Sequence, residues 1–228
     1  MFAFVLLAAS FLIQGVFGQY FWSYWSEGGG NFVCNNGPGG SYTARWSGNG
    51  GFVCGKGWNP GTGRYSGSYD PTGPGYMTIY GWYASKSMRP EMLPPATPKA
   101  GNGKTLTTCR PQTRNPLIEY YVIEAHGDLS PNEPWTLKGN FTFEEGTYEI
   151  YQSTRVNKPS IEGTRTFQQY WSVRTEQRTT GSVTMQRHFD EWAKVGMRLG
   201  RHDYQILATE GYTSKGVTPS GTSSLTVS

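Results

Sequence analysis

From residue 20 onward, most of the chain is short runs in which apolar or aromatic side chains alternate with polar ones, broken by Gly, Asn, Pro and Ser. Alternation with a period of two puts successive side chains on opposite faces of an extended chain, so such runs predict half-buried β-strands. The runs are 21–25, 31–35, 41–46, 51–56, 64–69, 76–82, 117–124, 140–144, 146–155, 164–174, 181–184, 204–212 and 223–227. The run 185–196 has another period. There Phe189, Trp192, Ala193 and Val195 to Met197 lie on a stripe of period 3.6, with Gly196 and Gly200 as stops, which predicts a single α-helix. Short strands with frequent turn signals predict an all-β sandwich of antiparallel sheets with that one helix.

Two stretches break the pattern. Residues 1–18 carry no charge and are apolar from Phe2 to Ile13, a run too short for a comfortable membrane span, so they read as a signal peptide ahead of Gln19. Residues 83–112 lack alternation and contain Pro90, Pro94, Pro95, Pro98 and Pro111. A structureless loop of about 30 residues is unusual within a domain, so this stretch is read as a disordered insertion, either a genuine loop or a retained intron. The rest of 19–228 forms one domain.

Composition narrows the class. Gly 31, Tyr 15, Trp 8 and only 16% charged residues describe a turn-rich, aromatic-rich extracellular β protein rather than a cytosolic helical one. A net charge of +4 with no Lys/Arg run gives no nucleic-acid footprint, and no other segment is long and apolar enough to imply a membrane partner. The three cysteines are Cys34, Cys54 and Cys109. Cys34 and Cys54 sit in strand-like runs that could pair; a disulfide and two small core thiols both fit.

Two acids stand out against this background. Glu119 lies inside Leu117-Ile118-Glu119-Tyr120-Tyr121-Val122-Ile123, and Glu210 ends the run Tyr204-Gln205-Ile206-Leu207-Ala208-Thr209-Glu210. Burying an unpaired carboxylate costs several kcal/mol, so two in strand interiors point to a working pair. Strand parity puts Glu119 beside Tyr121, Glu210 on the face of Tyr204, Gln169 beside Trp171, and Tyr80 beside Trp82. If these faces line one concave sheet, they form a cleft of two carboxylates, phenols, indoles and an amide. That inventory suits a carbohydrate: aromatic faces stack on sugar rings, and paired carboxylates hydrolyse glycosides. Glu124, on the opposite face, reads as a strand-end or secondary carboxylate.

At these residues the chain resembles the family 11 glycoside hydrolases, the endo-1,4-β-xylanases. The resemblance rests on Asn115-Pro116-Leu117-Ile118-Glu119-Tyr120-Tyr121, Ala208-Thr209-Glu210-Gly211-Tyr212, Gly55-Lys56-Gly57-Trp58-Asn59-Pro60-Gly61, Tyr80-Gly81-Trp82, Pro159-Ser160-Ile161-Glu162-Gly163 and Gln169-Tyr170-Trp171-Ser172-Val173-Arg174. It implies a jelly roll of two strongly curved antiparallel sheets with one helix, and a thumb hairpin over 154–165 whose tip carries Pro159 and Ile161. It further implies Glu119 as nucleophile, Glu210 as acid/base, Trp25 stacking on a xylose unit, and Tyr80, Tyr121, Arg155, Gln169, Trp171 and Tyr204 positioning the substrate or the two acids. The expected activity is retaining hydrolysis of xylan, with the two carboxyls about 5–5.5 Å apart. The resemblance implies no metal or cofactor, xylan as partner, and a secreted monomer. A non-catalytic or inactivated glycan-binding sandwich is the alternative, and the presence of both acids argues against it. At Gly51 the chain departs from the family, which has an Asn or Asp contacting the acid/base at that place.

Overall fold

The computed structural model describes residues 20–58, 63–85, 116–129 and 131–228. The expected signal peptide, nearly all of the expected insertion and the Asn59-Pro60-Gly61 end of one motif lie outside the described residues. Among the described residues there are thirteen strands and one helix. In chain order the strands are β1 (Tyr20–Ser26), β2 (Gly30–Asn36), β3 (Ser41–Gly48), β4 (Gly51–Trp58), β5 (Gly63–Thr72), β6 (Gly75–Ala84) and β7 (Ile118–His126). Then follow β8 (Thr136–Phe143), β9 (Gly146–Lys158), β10 (Arg165–Arg174), β11 (Gly181–Val183), helix α1 (Met185–Lys194), β12 (Arg201–Tyr212) and β13 (Ser220–Val227). No described helix is long and apolar enough to cross a membrane.

The strands form an eight-stranded sheet of order β1-β4-β12-β6-β7-β10-β9-β8 and a five-stranded sheet of order β11-β5-β13-β3-β2. One face of the larger sheet meets the smaller one in a core that includes Tyr42, Trp46, Phe52, Met77, Ile79, Tyr120 and Leu207. Helix α1 joins this core through Met185 and Trp192. The opposite face carries a second apolar cluster, with Tyr76, Tyr80, Trp82, Tyr121 and Trp171. Strands β4, β6 and β7 are therefore buried along almost their whole length, whereas β3 alternates buried and exposed positions.

Gly81 shows how closely the layers approach. A Cβ there would stand 2.2 Å from the Tyr204 carbonyl oxygen and 2.4 Å from the Tyr120 hydroxyl, so only glycine lets Tyr80 and Trp82 sit on one face with Tyr120 beneath. Helix α1 ends where expected in kind but two residues earlier: Gly196 takes φ 82°, and the Met197 N–H donates to the Trp192 carbonyl at 2.9 Å.

Four sequence expectations are corrected. The larger sheet is not wholly antiparallel: β10 pairs with β7 in parallel, Gln169 opposite Glu119. Chain leaving β7 crosses to the sheet edge as β8 and returns through two hairpins, β8–β9 and β9–β10, so β10 re-enters beside β7 running in the same sense. Next, Cys34 and Cys54 form a disulfide with Cα atoms 6.5 Å apart, but β2 and β4 do not pair; the bridge ties the two sheets together. The expected insertion starts too early at 83, because Tyr83 and Ala84 belong to β6 and Tyr83 is buried against Tyr120 and Phe189. Finally, of the two readings of Glu124 the strand-end one fails: the residue is fully buried, accepting hydrogen bonds from Tyr65 and Tyr148 and pairing with Arg178 at 2.6 Å.

Candidate active site

Strand register turns the scattered candidates into rows, because residues directly opposite on neighbouring strands share a face. One row runs Tyr204, Trp82, Glu119, Gln169, Ser153 across β12, β6, β7, β10 and β9. A second runs Ile206, Tyr80, Tyr121, Trp171, Tyr151 across the same strands. A third sets Val53, Glu210 and Tyr76 side by side on β4, β12 and β6. Glu119 and Glu210 thus rise from one face, two strands apart, with the β6 aromatics between them. They line a single cleft of about 390 Å³ together with Trp25, Tyr80, Tyr121, Arg155, Pro159, Ile161, Gln169, Trp171 and Tyr204. Every site residue expected from the sequence is in this cleft.

Glu119 is 8% exposed and held by two relays. Gln169 Nε2 donates to Glu119 Oε2 at 2.7 Å, while Gln169 Oε1 accepts from Ser153 Oγ at 2.9 Å and that hydroxyl accepts from Trp171 Nε1 at 3.0 Å. On the other oxygen, the Tyr80 hydroxyl donates to Oε1 at 2.9 Å and itself accepts from Trp82 Nε1 at 2.5 Å. Each relay ends on an indole N–H that can only donate, so both are oriented toward the carboxylate. Burial pushes the Glu119 carboxyl up, and the Gln169 and Tyr80 donors and the Arg155 charge pull it back. Glu210 is pushed well above the usual carboxylate range by burial first and then by the Glu119 charge, with Arg155 and a Tyr121 hydrogen bond opposing. Burial and the neighbouring carboxylates also raise Tyr80 and Tyr121, which stay protonated as donors. This asymmetry favours an ionised Glu119 beside a protonated Glu210.

The turn between β9 and β10 folds back over the cleft. Its Glu162 carboxylate accepts from the Ser85 backbone N–H at 2.7 Å and the Ser85 hydroxyl at 2.6 Å, reaching the end of β6. Pro159 and Ile161 lie on this turn. Arg155, on the stem of the hairpin, pairs with Glu133 of the β7–β8 connection. Trp25 on edge strand β1 is 46% exposed and presents an open ring at one end of the cleft. Trp171 differs: it is 2% exposed, stacked on Tyr121 at 3.9 Å between centroids and covered by Trp135 at 4.4 Å. Its reach into the cleft runs through Tyr121 and Ser153 rather than through a free ring face.

Sequence reading missed Ser153, Glu133, Glu27 and Trp135. Ser153 was open to parity, since it shares a face with Arg155 two residues on. The other three precede or follow strands, where no period assigns a direction.

The sequence model of the "Glycosyl hydrolases family 11" matches residues 17–89 and 97–220, and the gap falls within the stretch read as an insertion. "Endo-1,4-beta-xylanase I" of Cochliobolus carbonum is 47% identical over 89% of this chain and 80% of its own length. "Endo-1,4-beta-xylanase 4" of Pyricularia oryzae is 45% identical over 89% of this chain and 76% of its own length. Among solved structures, one from a structural comparison of two major endo-1,4-β-xylanases of Trichodrema reesei superposes with a TM-score of 0.70 at 32% identity, covering 91% of this chain and 97% of that one. A family match across both acid-bearing strands, relatives of this identity and a shared two-sheet fold agree: the chain belongs to the glycosyl hydrolases family 11.

Proposed function

We propose that this protein is a retaining endo-1,4-β-xylanase that cleaves internal xylosidic bonds of xylan, with Glu119 as nucleophile and Glu210 as acid/base. The observation that carries the reading is the unequal treatment of two acids in one aromatic cleft. Glu119 is surrounded by donors that stabilise its charge, and Glu210 is raised by burial and by that charge. A Glu119 oxygen attacks the anomeric carbon as the glycosidic C–O bond breaks, and the leaving oxygen takes the Glu210 proton. Water then attacks the glycosyl-enzyme, Glu210 removes its proton, and Glu119 leaves as carboxylate. Tyr80 and Gln169 hold the nucleophile in line, while Tyr121, Tyr204 and Arg155 offer donors toward sugar hydroxyls. Trp25 offers a stacking face, and Pro159 and Ile161 close over the chain. The apolar leader of 1–18 and the Cys34–Cys54 bridge support secretion into an oxidising medium, where the enzyme acts as a monomer.

The test measures reducing-sugar release from xylan, cellulose and mixed-linkage glucan by protein recovered from culture medium, whose N-terminus is expected near Gln19. Xylan is the preferred substrate. Glu119→Ala falls to background, and Glu210→Ala loses about 10²–10⁴-fold, much less on aryl glycosides whose leaving group needs no proton. An inactive parent overturns the function; full activity in Glu119→Ala overturns the nucleophile.

A further inference from the structure

The cleft holds a carboxylate that none of these roles uses. β1 ends at Ser26, opposite Phe52, and Glu27 follows with its backbone N–H donating to the Gly51 carbonyl at 3.0 Å. Gly51 opens β4 two residues before Val53, which stands opposite Glu210. Gly51 and Val53 therefore share the face that floors the cleft, and a side chain at 51 would project beside the acid/base group. Glu27 takes that space instead. A Cβ built on Gly51 would lie 3.0 Å from Glu27 Oε1 and 3.5 Å from its carboxyl carbon, and both residues line the cleft.

We infer that Glu27, seated in the space left by Gly51, is a further carboxylate of the cleft that acts through space on Glu210 and sets the alkaline limit of the reaction. This rests on Glu210 being the acid/base. The charged groups facing the same space are Glu119 from β7, Arg155 and Lys158 from β9, and Glu133 from the β7–β8 connection. Tyr121 of β7, Tyr76 and Tyr80 of β6, and Tyr204 and Tyr212 of β12 are the titratable phenols there, and the buried Tyr69 of β5 also feels the Glu210 charge. Arg155, the cation that opposes a raised Glu210, is itself paired with Glu133. Glu27 adds to the push of Glu119 on Glu210 in the direction that retains the proton. Exposed at the end of β1, Glu27 is a positioning residue, acting on the reaction only through Glu210.

The experiment compares the pH dependence of kcat/KM on xylo-oligosaccharides for the parent, Glu27→Gln, Gly51→Ala and the double variant. Glu27→Gln keeps the shape and removes the charge, so the alkaline limb should move down by about half a pH unit, with the acid limb and KM at the optimum retained. That displacement should shrink in 1 M salt, as a through-space effect must. Gly51 lies outside the left-handed region, so alanine fits its backbone, and the added methyl pushes the Glu27 tip away. Gly51→Ala should therefore move the limb the same way, and in the Glu27→Gln background it should add nothing. An active parent whose limb stays put in Glu27→Gln overturns the inference and leaves the function standing, as does a raised KM without a moved limb. A parent that does not cleave xylan overturns the functional reading itself.

Discussion

A carboxylate removed from water stays ionised only where donors replace the water it lost. Glu119 has those donors in Gln169 and Tyr80; Glu210 has fewer and faces a like charge. The arrangement that keeps a proton on Glu210 also weakens the fold. Its carboxyl binds a proton more tightly in the folded chain than in the unfolded one, so its contribution to stability is complete below the ordinary carboxylate value. That contribution is lost as pH rises through the raised folded value. Glu210→Gln should therefore raise the melting temperature at pH 7–8, by roughly 2–4 °C per kcal/mol relieved, with the gain vanishing near pH 4. Thermal melts of parent and variant from pH 4 to 8 check this; a gain independent of pH would contradict it. Both acids were legible in the sequence because strand parity is local, and a charge amid β-branched and aromatic neighbours is conspicuous. The Ser153 link between Gln169 and Trp171 was not, since Ser153 reaches them from β9 only through strand pairing.

Helix α1 raises a different question of charge. His188 is fully buried among Phe141, Phe143 and Tyr148, and neither ring nitrogen has a hydrogen-bond partner among the described residues. Burial, helped by the Arg178 charge, pushes its imidazole down to about 3. The unfolded chain takes up that proton near the ordinary histidine value, so the stability tied to neutral His188 is complete above that value and lost as pH falls toward the depressed one. Replacing His188 with Leu should therefore flatten the acid side of the stability profile, reducing the fall in melting temperature between pH 6.5 and 4 by on the order of 5 °C. Melts across that range decide it, and an unchanged acid-side slope would exclude His188 as the cause. Elements themselves were easy to read: each strand and the helix fell within a few residues of its expected place, because Gly, Asn and Pro punctuate the chain. Their partners were hidden. Nothing local in β7 or β10 signals a parallel pairing that follows from two intervening hairpins.

At the scale of the whole molecule, the sandwich must hold one sheet against another while the outer face of the larger sheet stays open as a cleft. The side of the cleft that carries Glu210 is built from β1, β4 and β12, and Cys54 of β4 stands opposite Thr209, next to Glu210. Cys54 is fully buried and bonded to Cys34 of the smaller sheet, so the bridge fastens the Glu210 side of the cleft to the opposite layer. Its cysteines are 20 residues apart. Closing a loop of that length removes enough freedom from the unfolded chain to stabilise by about 3 kcal/mol, on the order of 10 °C for a domain of this size. The parent should melt lower by that amount once reduced, while Cys34→Ala/Cys54→Ala should melt at one temperature with or without reductant. Because the bridge backs the Glu210 strand, xylan hydrolysis in the reduced parent should fail at the same lowered temperature as the fold. Identical melts of oxidised and reduced parent would mean that side-chain packing alone holds the sheets together, and that the bridge is dispensable to the cleft.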